Sequence, residues 1–162
     1  MIIVGMKAPH FERLQEYIGK TLILFFYPLD FGVIAPCELL QIEKQSEELQ
    51  RMDCSVIAVS QCSALSHDQF KAEEPAKGGV KGINFPLLAD TNGEIAQQYG
   101  VKTEAGYNYR GYFVIDKEGI VRAKVIGDLP MGIGATDLVR KVKKIRAVIE
   151  EENMQFWSHN VL

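Results

Sequence analysis

Runs of apolar residues alternate with amphipathic segments along the chain, and this alternation predicts an α/β fold. Two runs, TLILFFY at 21–27 and CSVIAVS at 54–60, are continuous and rich in β-branched or aromatic residues, which is typical of strands buried on both faces of a sheet. Between them, Pro36 lies where the first residue of a helix is expected, and leucines and isoleucines then recur at helical spacing up to about Arg51. The pattern predicts a strand, a helix and a second strand, in that order.

Shorter elements are predicted between the second strand and Gly100. We expect a polar helix from Ser63 to about Glu73, a surface loop at 73–82, a short strand at 84–89, a turn at 90–93 and a short helix at 94–99. The loop at 73–82 holds one proline and three glycines, but it is too short to separate two domains.

The last third of the chain predicts a β-hairpin followed by a long helix. YRGYFVI at 109–115 and IVRAKVI at 120–126 flank the turn DKEG. From Ala135 to about Glu152, apolar residues recur on one face opposite lysines and arginines, as in an amphipathic helix that covers a sheet. We therefore predict one α/β domain over residues 1–162, with a mixed sheet, helices on both faces, and a C-terminal tail at 150–162.

Charge, the lack of targeting signals and the cysteine spacing restrict the partners and sites that we expect. The chain has 162 residues and a formal net charge of −3, and its lysines and arginines are spread thinly except at 140–146, so we expect no nucleic-acid partner. No signal peptide and no apolar run of about 20 residues is visible, which predicts a cytoplasmic protein without a membrane partner. The three cysteines include no CxxC pair, and we expect free thiols, no metal site and no cofactor.

Five short motifs carry the most specific signal. They are FFYPLDF at 25–31, PCE at 36–38, FPLLAD at 85–90, YRGYFVID at 109–116 and DLPMG at 128–132. In order and spacing they resemble the peroxiredoxin family, and more narrowly its typical two-cysteine, alkyl hydroperoxide reductase (thiol-specific antioxidant) branch. The resemblance implies a thioredoxin-like fold, peroxidase activity on hydrogen peroxide and alkyl hydroperoxides with a thioredoxin-like thiol reductant, and homodimers that can join into rings.

The active-site signature of that family is Pro-x-x-x-Thr-x-x-Cys followed by Pro-Thr-Glu, with one arginine from the hairpin and often a second arginine from the loop after it. The resemblance places Pro28, Pro36, Glu38 and Arg110 on matching positions. A charge beside the apolar strand that follows Arg110 is costly unless it is paired. We expect Glu38 to be its partner.

The sequence departs from the signature at four points, and each departure removes a group that takes part in the same reaction. Gly32 replaces the threonine, Ala35 replaces the peroxidatic cysteine, Ile133 holds the position of the second arginine, and the tail has no resolving cysteine. Peroxide reduction needs a thiolate, and an unperturbed cysteine is only about 3% thiolate at pH 7. Because alanine has no nucleophilic atom, position 35 itself cannot carry out the reaction.

Cys37 replaces the second threonine of the signature, close to the N-terminus of the predicted helix. Two residues along a helix correspond to a rotation of about 200°, so we expect its sulfur to lie outside the pocket beside Ala35. The favoured interpretation is a small, half-buried residue. A redox-sensitive thiol and a relocated peroxidatic cysteine stay open.

The remaining candidates have simpler interpretations. We expect Cys54 to pack in the core, Cys62 to be an ordinary loop cysteine, and His67 to lie on the surface or in helix packing, since the sequence gives His67 no carboxylate or cysteine partner at a ligand spacing.

Three functional hypotheses follow. The first is a peroxiredoxin-like protein with lost or much weakened peroxidase activity, retained as an oligomeric binding, assembly or chaperone-like module. The second is a thiol peroxidase or redox sensor that uses Cys37 or Cys62 with an external thiol reductant. The third is an engineered variant of an active enzyme, in which Ala35 replaces the peroxidatic cysteine.

Overall fold

The computed structural model describes residues 1–128 and 132–160. Its strands and helices follow the predicted order, with two short 3-10 helices at Leu14–Tyr17 and Pro75–Lys77. The elements are β1 (Thr21–Phe26), α1 (Ala35–Lys44), α2 (Ser46–Arg51), β2 (Cys54–Ser60), α3 (Ala64–Ala72), β3 (Leu87–Ala89), α4 (Glu94–Gln98), β4 (Arg110–Ile115), β5 (Val121–Gly127) and α5 (Ala135–Asn160).

The five strands form one mixed sheet in the order β3-β2-β1-β4-β5. Strands β1, β2 and β3 are parallel, whereas β4 pairs antiparallel with both β1 and β5. All six residues of β1 are buried, because this strand lies at the centre of the sheet with helices on both sides. The predicted mixed sheet is confirmed.

Two apolar cores lie on opposite faces of the sheet. The first contains Phe25 of β1, Leu39 of α1, Phe70 of α3 and Val142 of α5. The second packs Phe26 of β1 against residues around the first 3-10 helix and α4. Alternate residues of β1 thus enter different cores, since successive side chains of a strand point to opposite faces.

Some element boundaries differ from the prediction. The helix predicted up to Arg51 is two helices, separated at Gln45, whose φ of −93° and ψ of 4° interrupt the α-helical geometry. The third strand begins only at Leu87, three residues later than expected. The last helix does not end near Glu152 but continues to Asn160, since none of residues 152–160 is a proline or glycine that would break it.

The N-terminal segment covers part of the outer edge of β5. The Gly5 N–H donates to the Val121 carbonyl, and the Val121 N–H donates to the Met6 carbonyl. Lys7 forms an isolated antiparallel bridge with Ile120. Within the described ranges, no strand lies beside β5 on that side after Val121.

Candidate functional site

A pocket opens at the carboxyl end of β1, where the chain turns into α1. Its volume is 320 Å³, and it is lined by Pro28, Leu29, Gly32, Ala35, Tyr107 and Arg110. Four of these residues belong to the set that the sequence singled out. The loop after β1 and the start of β4 therefore meet at the predicted position.

The loop between β1 and α1 is shaped by one unusual backbone conformation. Phe31 has a φ of 57°, in the left-handed region that non-glycine residues seldom occupy. Its ring packs against Phe70 of α3 with 4.9 Å between ring centroids. This contact helps to hold the turn that brings Gly32 and Ala35 to the pocket.

The first turn of α1 is uncapped. Ile34, at the N-cap, offers no side-chain acceptor, and Pro36 lies in the first turn, where its missing N–H costs nothing. The backbone N–H groups of Ala35 and Cys37 find no acceptor among the described residues. Free N–H groups and the positive end of the helix dipole both favour an anion at this point.

Arg110 and Glu38 form a buried ion pair, as predicted. An Nη atom of Arg110 donates to Oε2 of Glu38, and the Ile133 N–H donates to Oε1 of Glu38 at 2.8 Å. The side chains are only 6% and 4% exposed. Burial raises the pKa of Glu38, while the Ile133 N–H and the Arg110 guanidinium act in the opposite direction.

This arrangement gives Glu38 a structural role between three elements. Its carboxylate joins α1 to β4 through Arg110, and it joins α1 to the segment before α5 through Ile133. Ile133 holds the position where the resemblance places a second arginine. It contributes a backbone donor to the site, and its side chain packs against the first core.

Cys37 does not line the pocket. Its side chain is exposed, so the prediction of a half-buried residue is wrong, because the outer face of α1 is open to solvent here. The sulfur accepts a hydrogen bond from Nε2 of Gln41 at 3.3 Å. The expected rotation away from position 35 is confirmed.

The other two cysteines also lie outside the pocket. Cys54 is buried as predicted, and burial raises the pKa of its thiol to about 12. Cys62 follows β2, and its sulfur accepts the backbone N–H of Asp30 at 3.4 Å. None of the three cysteines therefore lines the pocket.

Sequence reasoning missed a buried polar network beneath the loop. Oδ2 of Asp30 contacts Nδ1 of His67 at 2.8 Å and accepts from the Ser66 hydroxyl at 2.7 Å, and Oδ1 accepts from the Tyr27 hydroxyl at 2.7 Å. Burial alone would raise the pKa of Asp30, but these hydrogen bonds and the imidazole outweigh it and lower that pKa.

The partner of His67 is distant in sequence. His67 is 3% exposed, so its packing interpretation is correct, and the surface interpretation is not. Asp30 lies 37 residues away, which explains why a search for nearby ligands found nothing. An aspartate in the loop that follows a buried strand was the available signal, since polar side chains at that edge of a parallel sheet converge.

Over residues 1–128 and 132–160, no group of three or more histidine, cysteine or acidic side chains is placed to hold a metal ion. No helix in those ranges is both long and apolar enough to cross a membrane.

Comparison with known proteins gives the family. The profile of the AhpC/TSA family matches residues 4–124. The chain belongs to the AhpC/TSA family. A thioredoxin peroxidase from Trypanosoma brucei rhodesiense is 39% identical over 155 residues, covering 87% of this chain and 78% of that protein. Peroxiredoxin-2 from Mus musculus is 37% identical over 153 residues, covering 86% and 77%.

Solved structures of the AhpC/TSA family share this fold. AhpC from Enterococcus faecalis superposes with a TM-score of 0.79 at 36% identity, covering 84% of this chain and 80% of that one. The reduced two-Cys peroxiredoxin from Plasmodium vivax gives a TM-score of 0.82 at 28% identity, covering 85% and 72%. The thioredoxin-like peroxiredoxin fold is thereby confirmed. The assignment of the peroxidatic position to Ala35 stays a prediction.

Proposed function

We propose that this AhpC/TSA-family protein has lost, or retains only in much weakened form, the thiol peroxidase activity of its relatives. In this proposal it acts as a homo-oligomeric binding or assembly module, with chaperone-like binding as one form. The observation that carries the proposal is the pocket beside α1. Pro28 and Arg110 line it and the buried Glu38 pairs with Arg110, but none of the three cysteines lines it.

Reaction chemistry connects this observation to activity. In peroxide reduction a thiolate attacks one peroxide oxygen, the O–O bond breaks, a hydroxide or alkoxide leaves, and the sulfur becomes a sulfenic acid. The attacking sulfur must lie beside the groups that stabilise charge on the leaving oxygen. Ala35 is the first residue of α1 and lines the pocket, but its side chain has no sulfur atom that could attack a peroxide.

The exposed part of β5 supports self-association. The N-terminal segment covers this strand only near its start, and Ile126 in its second half is 43% exposed. An uncovered edge strand can pair with the same strand of a second copy. We therefore propose a homodimer through β5, with a ring of dimers as the larger assembly.

The state of the thiols supports a reducing, cytoplasmic location. All three cysteines are free, and free thiols persist where cellular reductants keep them reduced.

The experiment that tests the loss of activity compares three proteins. Hydrogen peroxide consumption at pH 7 with excess dithiothreitol is measured for the unchanged protein, Cys37→Ser and Ala35→Cys. We expect the first two to match the reductant-only background. Consumption clearly above background by the unchanged protein would overturn the proposal.

The Ala35→Cys variant addresses the engineered-variant hypothesis. A thiol at position 35 would lie in the pocket with Arg110, at the uncapped start of α1. Because Gly32 and Ile133 provide neither a hydroxyl nor a guanidinium, we expect only slow turnover. Fast turnover by this single change would favour an engineered loss of the cysteine.

A second candidate function rests on the environment of Cys37. Cys37 lies in the first turn of α1. Its side chain is exposed, and its sulfur accepts a hydrogen bond from Gln41. Exposure makes this thiol accessible to a peroxide. In this candidate Cys37 becomes a sulfenic acid, and an external, thioredoxin-like dithiol supplies the two electrons that restore it. Peroxide consumption that Cys37→Ser abolishes would establish this role.

A further inference from the structure

The last helix, α5, is basic in its middle and acidic further along. Residues 140–146 include five lysines and arginines, and three glutamates follow at 150–152. Ala147 and Val148 lie between these two groups and are exposed. We propose that α5 pairs with the α5 of a second copy in antiparallel orientation, with the basic part of each helix against the acidic part of the other. This inference rests on the self-association in the proposed function, but it uses a surface other than β5.

The C-terminal part of α5 buries none of its described side chains. Leu138 and Val142, nearer the start of the helix, are buried in the first core. In contrast, every described side chain from residue 150 onward is exposed, including Met154 at 68%. A helical segment that buries no side chain has only marginal stability in water. A partner that covers one face of this segment would supply the packing that the domain does not provide.

The charges of α5 are only partly neutralised within one copy. Four of the five basic side chains at 140–146 form ion pairs with carboxylates of the same chain. Over the described ranges, Lys144, Glu151 and Glu152 form no ion pair. One part of the helix therefore keeps an unpaired positive charge, and the other part keeps unpaired negative charges.

Helix geometry places Lys144 and Glu151 symmetrically about Ala147 and Val148. Seven residues correspond to a rotation of about 700° and a rise of about 10 Å, so the two side chains point in nearly the same direction. A twofold axis between Ala147 and Val148 brings Lys144 of each copy opposite Glu151 of the other, which gives two identical contacts. Small side chains at the crossing point let the two helices approach closely.

The order of the charges selects the kind of partner. A nucleic acid or an anionic membrane would attract the lysines and arginines but repel the neighbouring glutamates. A surface that is basic at one end and acidic at the other is complementary to its own copy rotated by a half turn. The charge pattern therefore favours a second copy of this chain over a polyanionic partner.

Charge reversal tests the inference, with the dissociation constant for self-association measured by analytical ultracentrifugation at low salt. The samples are the unchanged protein, Lys144→Glu, Glu151→Lys, the double variant with both changes, and an equimolar mixture of the two single variants. Each single variant alone places like charges opposite each other at both contacts. The double variant and the mixture both restore opposite charges. Lys77→Glu reverses an exposed lysine on the second 3-10 helix and serves as the control.

We expect each single variant to associate with itself about tenfold more weakly than the unchanged protein, because two exposed attractive pairs become repulsive. The double variant and the mixture should regain the affinity of the unchanged protein, and Lys77→Glu should keep it. In Lys144→Glu the new carboxylate lies one turn from Arg140 on the same helix, which is an attractive spacing. Weaker association by this variant would therefore not come from loss of the helix.

Three results would overturn the inference. They are single variants that associate as tightly as the unchanged protein, a mixture that associates no more tightly than its components, and an equal loss of affinity in Lys77→Glu. In each case, a dimer of the unchanged protein would leave the proposed β5 contact standing. An unchanged protein that stays monomeric would refute self-association through either surface. Peroxide consumption is a separate readout, and consumption above background refutes the proposed loss of activity alone.

Discussion

Removing Arg110 while keeping Glu38 should destabilise the protein strongly. In Arg110→Met, the Glu38 carboxylate stays buried, with the Ile133 N–H as its remaining described partner. Breaking a buried ion pair by removing one partner costs about 3–5 kcal/mol. We expect a loss in the free energy of unfolding of that size, which is about a fifth or more of the total for a protein of ordinary stability.

A double-mutant cycle separates the cost of an unpaired charge from the value of the pair. Glu38→Gln keeps an acceptor for the Ile133 N–H but leaves the guanidinium without its carboxylate. The double variant Glu38→Gln/Arg110→Met buries no net charge, so we expect it to recover at least about 2 kcal/mol relative to Arg110→Met.

Urea denaturation provides the measurement, with the midpoint read at an unchanged slope. A loss below about 1 kcal/mol in Arg110→Met would contradict the argument. Strictly additive effects in the cycle would also contradict it, because additivity means that the two side chains do not interact.

Further predictions concern the buried network and the thiols. Because the folded pKa of Asp30 is lowered, its ionised form contributes stability above the unfolded pKa of about 4, and this contribution is lost as the pH falls through the folded pKa. Melting temperatures measured across pH should therefore show the largest deficit of Asp30→Asn relative to the unchanged protein near neutrality, and a smaller deficit in acid. A deficit that grows in acid would refute the assignment. The Ser63 hydroxyl caps α3 by accepting the Ser66 N–H at 3.2 Å, so Ser63→Ala should lower the free energy of unfolding measured in urea by about 1 kcal/mol. An unchanged free energy of unfolding would count against the cap. A thiol reagent at pH 8 should modify the exposed Cys37 quickly. It should modify Cys54, whose pKa is raised to about 12, only when the protein unfolds, and early modification of Cys54 in mass spectra would contradict its burial.

The main architecture follows from local patterns. The two continuous apolar runs became the central strands β1 and β2, because a strand covered on both faces has no polar positions to alternate. The ion pair between Glu38 and Arg110 was also predictable, since an arginine at the start of a buried strand needs a partner. Glu38, which matches the active-site signature, was the carboxylate expected to serve.

Other features depend on tertiary contacts that local patterns do not encode. The break at Gln45 falls within a continuous amphipathic pattern, so periodicity alone predicted one helix. The contact between Asp30 and His67 joins the loop after β1 to α3, and neither residue has a motif around it that indicates the other. The exposure of Cys37 depends on which face of α1 is left uncovered by the rest of the chain.

The central claim is that peroxide reduction does not take place in this pocket. Its most direct test is a brief hydrogen peroxide pulse at pH 7 on the reduced, unchanged protein, followed by mass spectrometry of Cys37, Cys54 and Cys62. We predict that no cysteine gains oxygen faster than a free thiol of the same pKa. Rapid, selective oxidation of Cys37 or Cys62 would contradict the claim and show that the reactive thiol has moved to that position.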